Sequence, residues 1–108
     1  MIKGPISFEK AMHGIYTRAR LEADCKATIF LQMLHRHGGL GTARQLINSP
    51  AVSEGYTALY ERGRLDLTVE AVIVENPRWH SLFTSDELSR VRKRLDAYGY
   101  TTGNPAGQ

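Results

Sequence analysis

The sequence predicts an all-α fold: a single compact bundle of about six short helices over residues 1–100, opening with an antiparallel helical hairpin. Three observations carry this. Apolar residues recur every three or four positions through most of the chain, the period of a helix with one buried face. Ser, Thr, Gly and Pro punctuate that pattern where helices start and stop. The one stretch that also alternates like a strand, Leu67–Ile73, has no second such run to pair with, and a lone strand leaves its backbone groups unsatisfied.

The fold is organised around Gly63–Phe83, GRLDLTVEAVIVENPRWHSLF. Leu65, Val69, Val72 and Ile73 share one helix face, and Leu67, Ala71 and Val74 cover much of the rest. A helix apolar nearly all the way round belongs inside a core, under other helices. It starts near Asp66 or Thr68 and ends at Asn76-Pro77, because Pro lacks a donor and biases its predecessor towards extended geometry. Trp79, Leu82 and Phe83 follow as large apolar anchors.

In chain order, Ser7 is expected to cap the first helix. Phe8, Ala11, Met12, Ile15, Tyr16, Ala19 and Ala23 form its inner stripe, and the pattern changes phase near Asp24. The second helix runs from about Lys26 to Arg36 and stops at Gly38-Gly39, which supplies the positive φ of a helix C-cap. Phe30, Leu31 and Leu34 form its stripe, with Ala27, Ile29 and Met33 widening it towards more than one neighbour. The short third helix, about Gly41–Asn48, turns Ala43, Leu46 and Ile47 inward. Ser53 caps a fourth, Glu54–Arg62, with Tyr56, Leu59 and Tyr60 apolar and Gly63 closing it. After the central helix, Thr84-Ser85-Asp86-Glu87 is a capping box. It opens a last helix with Leu88, Val91, Leu95 and Tyr98 inward and Gly99 at its end. The tail at 101–108, TTGNPAGQ, has little to bury and is expected to be disordered.

Composition narrows the function. The chain has 108 residues, 42% of them apolar and 23% charged, as in ordinary globular domains. A single cysteine, Cys25, excludes an intramolecular disulfide and a cysteine metal cluster, and a cytoplasmic setting is expected. The N-terminus lacks the pattern of a signal peptide, and the apolar runs are too short for a membrane span, so no membrane partner is expected. Residues 1–48 hold seven Lys/Arg against three acids, and residues 49–108 seven against eight. The basic excess of the first half hints at a polyanionic partner.

Convergent chemistry is scarce. His35 and His37 stand two apart, so on a helix they face different sides and do not chelate; they sit where a helix dipole favours a cation. No metal or cofactor is expected. His80 reads as a surface residue, Glu70 and Glu75 as solvent-exposed helix edges, and Cys25 as a turn thiol without a base. No nucleotide-loop, zinc-protease or nucleophile-elbow motif occurs. Thr42–Asn48 followed by Ser53–Arg62 has a helix-turn-helix outline, although its connection is long and Glu54 and Glu61 would face phosphate. The stronger candidate is a basic stripe on the first helix, Lys10, His13, Thr17 and Arg20 with Arg18 at its edge, joined by Arg36 and Arg44 if the first helices adjoin. Clustered cations with small hydrogen-bonding residues between them suit phosphate. Arg90, Arg92, Lys93 and Arg94 are instead expected to be balanced on their own helix, by Asp86–Arg90 and Arg92–Asp96 pairs.

The segments FLQM (Phe30–Met33), GGLGTARQLI (Gly38–Ile47), Gly55–Phe83 and RLDAYGY (Arg94–Tyr100) resemble a group of short bacterial proteins without an established activity. The resemblance spans Phe8 to Tyr100 and implies a stand-alone unit from a bacterium or its mobile elements; it transfers no site residue. The leading expectation is therefore a small non-enzymatic helical protein that binds nucleic acid, regulatory or phage-related. The alternative is a protein–protein adaptor or inhibitor, and an enzyme comes third.

Overall fold

Helix α1, Ile6–Ala23, and helix α2, Thr28–Asn48, form an antiparallel hairpin in the computed structural model, which describes residues 6–100. Two contacts fix the direction: Glu9 reaches Gly39, and His13 lies beside His35. The inner stripe of α1 buries as its period requires, with Phe8, Met12, Ile15 and Ala19 all inside. Ser7 is already within the helix, so it does not cap it. At the other end Asp24 takes a left-handed conformation (φ 51°), and the Cys25 amide donates back to the Ala19 carbonyl (2.9 Å). The expected tail at 101–108 lies outside the described residues.

The predicted second and third helices are two arms of α2, joined at Gly38. Gly38 has φ 76° and ψ 175°, a conformation that costs an L side chain strain and glycine none. The second arm restarts at Gly39, whose amide donates to Glu9 Oε1 (2.6 Å). A carboxylate at a helix start meets both an orphan donor and the positive end of the dipole. Packing there is tight: a Cβ on Gly39 would lie 2.8 Å from Glu9 Oε1 and 3.2 Å from the Glu9 backbone.

Helix α3, Glu54–Glu61, is capped by Ser53, whose Oγ accepts from the Tyr56 amide (3.1 Å). A 3-10 turn, Leu65–Leu67, leads to the central helix α4, Val69–Glu75. Val69, Ala71, Ile73 and Val74 are buried, as an all-round apolar helix demands. Pro77 ends α4 and starts a 3-10 segment, Pro77–Leu82, which sets Trp79 and Phe83 edge-on to Phe8 with ring centres 5.2 and 6.0 Å away. Helix α5, Ser85–Ala97, opens with the full capping box of Thr84 and Glu87 and buries Val91 and Leu95 against the rest. The described residues form no strand. None of their helices is long and apolar enough to cross a membrane.

Candidate functional site

The seven expected phosphate-binding residues end in two different situations. Lys10, Arg20 and Arg36 are exposed and make no ion pair among the described residues, and Thr17 is exposed with its hydroxyl turned back onto the His13 carbonyl. The others are engaged. His13 Nε2 lies 3.3 Å from Glu9 Oε2. Arg18 donates to Glu22 (2.9 Å), which also accepts from Arg64 (2.7 Å); the two guanidiniums lower the Glu22 pKa to about 2. Arg44 pairs with Glu87 (3.0 Å). The helix-turn-helix outline loses one of its polar faces in the same way, because Asn48 also donates to Glu87 (2.9 Å).

Around α4 the structure corrects three expectations. Glu70 is not a solvent-exposed helix edge but a buried carboxylate, 4% exposed, whose Oε2 accepts from Arg94 Nη1 (3.1 Å). Burial pushes its pKa up against the pull of Arg94. Arg94 is accordingly balanced by α4 rather than by its own helix, and it also donates to the Leu46 and Ser49 carbonyls (3.1 and 2.6 Å). The i, i+4 pairs Asp86–Arg90 and Arg92–Asp96 do not form among the described residues; Arg90 reaches Asn48 instead. His80 is half-buried, its Nε2 donating to the Ile73 carbonyl (3.1 Å). Arg94 thus gathers the C-terminal end of α2, where the last carbonyls of a helix lack the usual intrahelical partners.

The opposite end of α2 borders a cleft of about 460 Å3. Its walls are Ile15 and Ala19 of α1, Cys25 to Phe30 and Met33 at the start of α2, Leu46, the first two turns of α3, and Leu67–Glu70. The walls are mainly apolar, in the size range of ligand pockets, which are themselves mostly apolar with a few polar groups. Ile29, expected to widen a buried stripe, is 63% exposed and belongs to this wall. Cys25 lies in the turn between α1 and α2, as expected, and is buried there. Tyr56 stands in the α3 wall; burial raises its phenol pKa, and its hydroxyl donates to the Arg94 carbonyl (3.4 Å).

Three helix starts meet at this cleft, those of α2, α3 and α4. The α3 and α4 starts are closed by Ser53 and by Thr68, whose Oγ1 accepts from the Ala71 amide (3.1 Å). The α2 start is open: its cap position is Ala27, whose side chain offers no acceptor, and no acid stands in its first turn. Sequence reasoning missed the cleft because its walls come from five separate elements. One signal was present: DCKATIF (Asp24–Phe30) places no Ser, Thr, Asp or Asn directly before Thr28. No protein-family model, curated protein or solved structure matches the chain.

Proposed function

We propose that this chain is a small non-enzymatic binding protein that holds an apolar ligand in the cleft at the open end of α2. One observation carries the reading: a preformed cleft of about 460 Å3 walled by apolar side chains, with Ile29 left 63% exposed on its wall. A preformed, mainly apolar concavity of this size is the usual seat of a small ligand. The chemistry of the walls favours binding over turnover. The lining contains no histidine, Glu70, one of its two carboxylates, is tied to Arg94, and Tyr56 is held in its neutral form by burial. Nucleic-acid binding stands second, on Lys10, Arg20 and Arg36. Three cations neutralise about three phosphates, enough for weak, salt-sensitive binding only.

The test uses Nile red, a neutral apolar dye, with the full chain. Saturable one-to-one binding is expected, and Gly55→Phe should weaken it by about tenfold or more, the scale of filling a pocket. Gly55 is a wall residue where an added Cβ meets only Ser53 Oγ, at 3.8 Å, so helical circular dichroism should be retained. Absence of saturable binding, or full binding by the Gly55→Phe variant, refutes the cleft reading. Salt-dependent retention on heparin, lost when Lys10, Arg20 and Arg36 are neutralised, would put nucleic acid first.

A further inference from the structure

We propose that the rim of this cleft is the contact between two copies of the chain, related by a two-fold axis through the mouth, with the interior left to the ligand. The inference goes beyond the ligand reading and does not depend on it. Four lining residues are exposed and make the rim: Lys26, Thr28 and Ile29 on the α2 side, and Glu54 on the α3 side. Ile29, 63% exposed, supplies the apolar contact.

The charges of the rim say what covers it. Lys26 and Glu54 stand on different walls, and neither makes an ion pair among the described residues, with the other or with any further group. The third charge of the lining, Glu70, is buried and already taken by Arg94. A rim with one unpaired cation and one unpaired anion is complementary to itself. In a two-fold contact residue i meets j and j meets i, so Lys26 of each copy meets Glu54 of the other, and both charges are answered. A partner carrying one sign of charge would satisfy one side of the rim and be repelled by the other. The same rotation brings Ile29 of each copy towards Gly55 of the other. There the wall leaves room, since an added Cβ would meet only Ser53 Oγ, at 3.8 Å. A contact confined to a rim is smaller than the about 800 Å2 per partner of a standard interface, so the dimer is expected to be weak and concentration-dependent.

Sedimentation equilibrium of the full chain, from about 10 μM to about 1 mM, covers the range of such a dimer, whose Kd is expected near about 100 μM. Lys26→Glu and Glu54→Lys each turn both symmetric pairs from attraction to repulsion, and each should weaken the dimer about tenfold or more. An equimolar mixture of the two variants should dimerise as well as the wild-type chain, because every mixed dimer carries two pairs of opposite charge. The chain with both substitutions should dimerise too, with its pairs reversed. Helical circular dichroism checks that each variant folds, as exposed charges contribute little to stability. A wild-type chain still monomeric at about 1 mM would overturn the inference and leave the rim to a partner of another sequence. A dimer indifferent to either reversal, or single variants whose mixture fails to recover it, would overturn it as well. Nile red binding decides none of these results and bears on the ligand reading alone.

Discussion

The two ends of α2 are built on opposite plans. At its C-terminal end nearly every group is answered. Arg94 takes the Leu46 and Ser49 carbonyls, and Glu87 takes Arg44 and Asn48 while its other oxygen accepts from the Thr84 amide. At its N-terminal end Ala27 caps nothing and Ile29 faces solvent. The buried members of this network, Glu87 and the Glu70–Arg94 pair, hold that end in place, since each is expensive to release. An end with free amides and bare apolar surface contributes less to stability. Such divisions are common, because binding segments come from the less stable parts of a fold.

The contrast breaks most decisively at Arg94. Arg94→Met should cost about 3–5 kcal/mol, the scale of leaving one member of a buried pair behind. Glu70→Gln in the same chain should return part of the loss, read by urea unfolding. The pH dependence has a definite sign. Glu70 is held above its ordinary pKa by burial, so its protonated form is favoured in the fold. Its share of stability is complete at low pH and lost as pH rises through its folded pKa. Without Arg94 that shift grows, and the Arg94→Met variant should be less stable at pH 8 than at pH 5.

A smaller effect sharpens the comparison of capped and open helix starts. Thr84→Ala removes half of the α5 capping box and should lower stability by about 1 kcal/mol. Faster hydrogen exchange at the Glu87 amide would report it. Ala27→Asp at α2 should act in the opposite direction, because there the cap is missing.

The mildest effect concerns the surface cluster of Arg18, Glu22 and Arg64. Glu22 is held at about 2, mainly by its hydrogen bonds to those arginines. Asp66, beside Arg64, is also held down. A lowered carboxyl pKa gives stability that is present above the unfolded value, about 4, and is lost as pH falls through the folded one. Glu22→Gln should therefore flatten the acid limb of a melting-temperature profile between pH 5 and 2 and change little at pH 7, since exposed pairs contribute little there.

What the sequence determined by itself is the set of elements and their local grammar. The Phe8–Ala19 stripe, the Ser53 cap, the stop at Asn76-Pro77 and the capping box at Thr84 depend on residues within a turn or two of each other, and short-range sterics and hydrogen bonds decide them. The positive φ at Gly38, and the burial of Val69, Ala71, Ile73 and Val74, follow from the same local logic. Tertiary structure alone decided which polar groups are spent and which are left. Glu70 finds Arg94 across 24 residues, Glu87 finds Arg44 across 43, and Glu9 finds Gly39 across 30. Sequence spacing carries no trace of such partners, because the approach of two helices sets their distance. The cleft has the same origin: its walls meet only after five elements have packed.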